Sequence, residues 1–168
     1  MANSHLPLDS FMPYRLSFTA GLVSEHIAHA YETQFGIDVP QWRVLAWIAE
    51  RDGITQQEIC QRTRMDKVSV SRAAIALNRR GLVERRPHAR DGRSHMLALT
   101  PSGISLYEQI VPRARELESR IFAQFSDEER EGFMAILRKI DAAATALHKA
   151  GTPGHPPDDR QWPEALDE

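Results

Sequence analysis

Apolar residues recur at helical spacing along most of this chain, and the breaks between the stripes mark where helices begin and end. Leu16, Ala20, Val23, Ile27, Ala30 and Tyr31 make one stripe, which predicts a helix from about Pro13 to Gln34, closed by Gly36. Trp42, Leu45, Ala46, Ile48 and Ala49 predict a second, from Pro40 to about Arg51, stopped by Asp52-Gly53. Thr55 and Glu58 then form a T-x-x-E capping box, so a short helix carrying Ile59 starts at Thr55 and ends near Arg62 or Thr63. Thr63-Arg64-Met65 reads as a turn. Asp66 offers a carboxylate to cap the next helix, which runs to about Arg80 and is followed by Gly81.

The period then changes from helical to alternating. Leu82 to Arg86 and His95 to Leu99 read as paired strands, with Leu97 and Leu99 on one face. The loop between them holds Asp91-Gly92, a turn signal. Helical spacing resumes at Thr100-Pro101, a cap followed by a first-turn proline. The apolar line of this long helix passes through Ile104, Ile110 or Val111, Ala114, Leu117, Ile121 and Phe125, and Pro112 inside it predicts a bend. Ser126 and Glu129 form a second capping box, and Phe133, Ile136, Leu137, Ile140, Ala144 and Leu147 carry a last helix to about Lys149. Gly151 to Glu168, with four prolines and a net charge of −4, predicts a largely disordered acidic tail.

The helix after Asp66 has two different faces. Val70, Ala73, Ala74 and Leu77 share the side expected in the core. The opposite side carries Val68, Arg72, Ile75 and Arg79, flanked by Ser69 and Ser71. A face turned to water rarely carries Val and Ile. A helix lying in a DNA major groove can, because an apolar group meets a thymine methyl while arginine reaches guanine or phosphate. Lys67, Ser69 and Ser71 occupy the first turns, the part that enters the groove in helix-turn-helix proteins. The hairpin brings Arg85, Arg86, Arg90 and Arg93 close behind, the composition of a finger for phosphates or the minor groove.

These residues also carry a resemblance. Gly81-Leu82-Val83-Glu84-Arg85, then Asp91-Gly92-Arg93, then Leu99-Thr100-Pro101-Ser102-Gly103, preceded by the helix Val68-Ser69-Val70-Ser71-Arg72 with Leu77, resemble the MarR family of transcriptional regulators over roughly Tyr14 to Leu147. The resemblance implies a mainly α fold with a small β-hairpin wing, a winged helix-turn-helix core between N- and C-terminal dimerisation helices. It implies an arm and first dimerisation helix at 1–36, a DNA-binding core at 37–100, dimerisation helices at 101–150 and the tail at 151–168. By the same likeness Arg93 reaches toward the minor groove and Asp91 orients a wing arginine. Lys67, Val68, Ser69, Ser71, Arg72, Arg79, Arg85, Arg86 and Arg90 complete the expected DNA contacts. Double-stranded DNA and a second copy of the chain are the implied partners, and repression of a near-palindromic operator is the implied activity. Members of the family often bind aromatic acids or their thioesters, so a small-molecule effector is expected.

Charge adds one fact. The whole chain carries −2, but residues 41–100 hold twelve Lys/Arg against six Asp/Glu, a net of +6. A basic middle between acidic ends suits a DNA-facing module on a non-binding scaffold. Residues 1–20 show no secretory pattern and no run approaches a membrane span, so a cytoplasmic protein with no membrane partner is expected.

No motif predicts an enzyme or a cofactor: G-x-S-x-G, H-E-x-x-H and the P-loop pattern are all missing from the sequence. His26 and His29 could share a helix face, but a zinc site would need more ligands than they supply. No metal site is expected. Cys60, the single cysteine, could sense redox state if Arg62 and Arg64 lowered its pKa, although a small core residue is the expected reading. Early aromatic residues with polar neighbours, namely Tyr14, Arg15, Phe18, His26 and Trp42, are the candidate effector site. The competing readings are a winged helix that binds only proteins, or a metal- or redox-sensing regulator of the same fold.

Overall fold

Two features of the backbone set the start of the fold: a proline that opens a helix and a carboxylate that caps one. The computed structural model describes residues 6–51, 53–88 and 91–151, with side chains except at 88, 91–94 and 149–151. A 3-10 turn at Leu8–Ser10 leads into α1 (Met12–Phe35), with Pro13 in the first turn and Gly36 just beyond the end. Helix α2 (Val39–Glu50) starts one residue earlier than the sequence suggests, because Asp38 caps it. Its Oδ1 accepts the Gln41 backbone amide at 2.7 Å.

Helix α3 (Gln56–Thr63) opens on the expected capping box. Thr55 Oγ1 accepts the Glu58 amide at 3.2 Å, and Glu58 Oε2 accepts the Thr55 amide at 2.9 Å. The turn to α4 (Lys67–Arg79) passes through Arg64 at φ 58°, a left-handed conformation held by a residue with a side chain. Thr63 steadies it: its hydroxyl donates to the Ile59 carbonyl at 2.7 Å and accepts the Met65 amide at 3.2 Å. Gly81, at φ 67°, turns the chain from α4 into the hairpin.

The hairpin pairs β1 (Val83–His88) with β2 (Asp91–Leu99) antiparallel, Val83 opposite Leu99 and Arg85 opposite Leu97. Both strands are longer than predicted, and Asp91-Gly92 lies in β2 rather than in a turn. A register shift between Pro87 and His88 absorbs the extra residues, so the ladder resumes with His88 opposite Asp91. Ile54 adds a bridge to Leu97, its amide donating at 3.1 Å and its carbonyl accepting at 2.8 Å. This third strand is a single residue, too short to leave a period in the sequence.

The core joins α2, α3, α4 and the hairpin through Val44, Leu45, Ile48, Ile59, Val70, Leu77, Val83 and Leu97. Helix α5 (Pro101–Ile121) adds Ile110 and Leu117 and runs on through Pro112. Two positions on its predicted apolar line are exposed, Ile104 within the helix and Phe125 beyond its end. The buried side of the helix instead starts at Gly103, one residue earlier than Ile104. A Cβ on Gly103 would sit 2.0 Å from the Leu82 carbonyl oxygen. That carbonyl already accepts the Thr100 amide at 3.1 Å, while Thr100 Oγ1 donates to the Gly81 carbonyl at 2.6 Å. The separated motif fragments G-L-V and L-T-x-x-G are therefore one joint, locking the base of the hairpin to the start of α5.

The chain divides into two compact units, Met1–Arg120 and Ile121–Glu168. In the second, Ser126 and Glu129 form the second predicted capping box at the start of α6 (Asp127–Gly151). Phe133, Met134, Ile136 and Leu147 on this helix are exposed. The expected acidic tail beyond it lies outside the described residues.

Candidate nucleic-acid interface

The faces of α4 separate sharply. Val70 is fully buried and Val68, two residues earlier, is 57 % exposed. Ala73, Ala74 and Leu77 are buried with Val70, while Lys67, Arg72 and Arg79 stand in solvent. Ser71 and Ile75 are half-buried at the edges. An exposed valine beside an exposed guanidinium is a pairing that a major groove can meet, a thymine methyl against the one and guanine or phosphate against the other.

Asp66 fixes the end of α4 that carries these residues. Its Oδ1 accepts the Ser69 amide at 2.8 Å and its Oδ2 accepts the Ser69 hydroxyl at 2.7 Å. The Ser69 hydroxyl is the main cause, with the Ser69 amide second, that holds the Asp66 carboxyl below its ordinary range. Ser69 thus gives its proton to the cap, and its oxygen lone pairs remain for an outside donor.

On the hairpin, Arg85 is exposed, and Arg86 is exposed but paired, with Nε 2.8 Å and a terminal nitrogen 2.7 Å from Glu84 Oε1. Arg90 lies outside the described residues, as do the side chains of Asp91 and Arg93.

Other arginines of the basic stretch have structural work. Arg80 reaches back to the end of α1, donating to the Gly36 carbonyl at 2.7 Å and the Phe35 carbonyl at 3.1 Å. It satisfies carbonyls left open at a helix C-terminus and places positive charge there. Arg62 lies over the Trp47 ring, 4.9 Å from its centre. No pattern in the sequence separates these two from the arginines that face solvent.

The proposed effector residues do not converge. Tyr14 stacks on Phe18 at 6.2 Å, and the Arg15 guanidinium lies 5.2 Å from the Phe18 ring centre, all three exposed on the first turns of α1. Trp42 packs into the core side, edge-on to Tyr31 at 5.2 Å and stacked with Tyr107 at 5.9 Å. His26 lies eight residues beyond Phe18, about 12 Å along the helix axis. There it lines a different cleft, with His29 and Arg113.

Cys60 is half-buried, and burial is the main cause raising its thiol pKa. The lowering by Arg62 and Arg64 that redox sensing would need is not what its surroundings provide; a backbone hydrogen bond and then Lys67 lower the pKa, and burial outweighs them, as suits the expected small core residue. A protonated thiol is a poor nucleophile and a poor redox sensor. Among the described residues no three His, Cys, Asp or Glu side chains are grouped to hold a metal ion. No described helix is long and apolar enough to cross a membrane.

Residues 35–94 match the family model described as MarR family. The transcriptional regulator HosA of Escherichia coli is 27 % identical over 119 residues, which cover 71 % of this chain and 88 % of HosA. A MarR/EmrR family transcriptional regulator from Acinetobacter sp. ADP1 has a similar structure, with a TM-score of 0.78 at 24 % identity over 84 % of this chain and 99 % of that one. MepR of S. aureus, solved as a DNA complex, gives 0.71 at 27 % identity over 81 % of this chain and 98 % of its own. CouR from Rhodococcus jostii RHA1, solved with p-coumaroyl-CoA, gives 0.73 at 23 % identity over 81 % of this chain and 95 % of its own. The family profile falls on the residues that build the helix pair and most of the hairpin, and with regulators of like sequence and fold it makes this chain similar to the MarR family of winged-helix transcriptional regulators.

Proposed function

We propose that this regulator is a ligand-responsive repressor that binds a near-palindromic operator as a two-fold dimer. The observation that carries the DNA contact is the solvent face of α4, where Val68 and Arg72 are exposed directly opposite a sealed core face. In this reading Val68, Ser69, Ser71 and Arg72 read bases or adjacent phosphates. Lys67, Arg79, Arg85, Arg86 and Arg90 contact phosphates. Arg93, oriented with Asp91, enters the minor groove. Two copies set their α4 helices about one DNA turn, roughly 34 Å, apart. The exposed apolar residues of α6, Phe133, Ile136 and Leu147, supply surface for that pairing.

An effector then favours one spacing of the two heads over another, with a coupling of about 1 to 3 kcal/mol. The stacked Tyr14–Phe18 pair with Arg15 is the aromatic, basic surface that suits an aromatic acid or its thioester. That CouR is solved with p-coumaroyl-CoA supports this class.

A gel shift on the DNA upstream of the protein's own gene, repeated across a salt series, tests the core of the reading. Arg72→Ala and Arg93→Ala should each weaken binding and lower the salt slope by about one. An unchanged slope in either variant removes that arginine from the interface. Release of the operator by an aromatic acid tests the effector class.

A further inference from the structure

The first turn of α4 carries a serine whose hydrogen-bonding role is already fixed on one side. Ser69 follows exposed Val68 and stands three residues before exposed Arg72, hence beside it on the helix surface. It is half-buried, on the flank between the solvent face and the core. Its hydroxyl oxygen is 2.7 Å from Asp66 Oδ2, and its amide donates to Asp66 Oδ1 at 2.8 Å. An ionised carboxylate has no proton to give, so the hydroxyl is the donor in that bond. The Asp66 carboxyl is held below its ordinary range, by the Ser69 hydroxyl first and the Ser69 amide second, so it is ionised at neutral pH.

A serine hydroxyl has one proton and two lone pairs. Where the proton is free to rotate, serine meets donors and acceptors alike and discriminates poorly among bases. Here the proton is committed, and turning it outward would break a charge-assisted hydrogen bond. Only acceptor capacity remains for an outside partner. The major groove offers two kinds of donor, the N4 amine of cytosine and the N6 amine of adenine. Guanine N7 and O6, thymine O4 and every phosphate oxygen are acceptors, and they would meet Ser69 lone pair against lone pair.

We propose that Ser69 is a specificity-determining residue of fixed polarity: locked by Asp66, it accepts from an exocyclic base amine of the operator and contacts no phosphate. Asp66 is then a positioning residue, which sets what Ser69 can recognise without touching DNA. Arg72, which can only donate, complements it by taking acceptors alongside. This role rests on the proposed reading of DNA by α4.

The test starts from a pool of randomised duplexes, selected by the full-length natural chain and by Ser69→Ala. One base pair in each half-site should lose its preference in the alanine variant. In the selected duplex that pair is then edited at single atoms. An N-methyl group replaces the groove-facing amine hydrogen, or a 7-deazapurine removes the N7 acceptor. The methyl edit should weaken binding by the natural chain about fivefold, the size of one neutral hydrogen bond, and leave Ser69→Ala unaffected. The 7-deaza edit should act on both proteins alike. Asp66→Asn supplies the reversal. Asparagine caps a helix as well as aspartate, but with its oxygen on the Ser69 amide its Nδ2 donates to the Ser69 hydroxyl. The hydroxyl proton then turns outward. On the strand that carried the amine, this variant should favour guanine or thymine. Affinities are compared between duplexes within each protein, so the charge lost in Asp66→Asn, which acts on all duplexes alike, drops out. An unaltered preference in Ser69→Ala, or a methyl edit that costs both proteins the same, overturns base reading by Ser69. Asp66→Asn with the natural preference overturns the role of Asp66. Both results leave DNA binding standing, whereas a natural chain that enriches no duplex defeats the DNA reading and this role with it.

Discussion

Single residues explain why widely separated parts of the sequence move together. Gly103 is one: its missing Cβ is the space occupied by the Leu82 carbonyl, 2.0 Å from where that carbon would be. Gly103→Ala should cost about 1 to 3 kcal/mol or more, because backbone rather than a flexible side chain must give way. Urea unfolding measures this, and an alanine variant of unaltered midpoint would mean the joint is not rigid. Asp66 is the other. Its carboxyl lies below the ordinary range chiefly because of the Ser69 hydroxyl. The sign follows from that direction. The folded form holds the proton less tightly than the unfolded chain does, so the cap's stabilisation is complete above the ordinary carboxylate range. It is lost as pH falls through the lowered folded value. Ser69→Ala should move the Asp66 titration upward without restoring it fully, since the Ser69 amide bond remains. Carboxyl NMR checks it; an unmoved titration would place the cause elsewhere. The sequence shows that Asp66 caps a helix, because the residue type and position suffice. It does not show that Ser69 gives its proton to that cap, since both residues look equally free for DNA.

At the scale of elements, legibility follows the length of the signal. Capping boxes at Thr55 and Ser126 and the core stripe of α4 repeat enough information to be read directly. The hairpin was legible as paired strands, but its reach was not, because the shift at Pro87 and His88 depends on pairing rather than on residue type. The basic stretch misleads in another way: charge alone does not tell solvent-facing arginines from those bound at home. Arg80 joins the end of α4 to the end of α1 through two carbonyls. Arg80→Ala should therefore lower stability by about 1 to 2 kcal/mol, the worth of two exposed hydrogen bonds from a charged group. It should leave the salt slope of operator binding at its starting value, unlike Arg72→Ala. A slope lowered by about one would put Arg80 on phosphate instead.

For the whole molecule, the question is what covers α6. Phe133, Ile136, Leu137, Ile140, Ala144 and Leu147 repeat at helical spacing, yet Ile136 is 53 % and Leu147 74 % exposed in the single chain. Apolar side chains lined up along one helix and left in water indicate an unfilled interface rather than scattered surface residues. The proposed dimer fills it, and then its loss must propagate to DNA. A single head keeps its own phosphate contacts but loses the second binding event, which linkage in one particle makes about 10² to 10⁴ times more favourable. Ile136→Asp places a charge in the middle of the stripe, where pairing would bury it. Sedimentation should give about twice 19.0 kDa for the natural chain and a single-chain mass for the variant, with helix content preserved by circular dichroism. Operator affinity should fall by the same order as the lost linkage. If Ile136→Asp stays dimeric and binds the operator as before, the stripe on α6 is not the surface that pairs two reading heads.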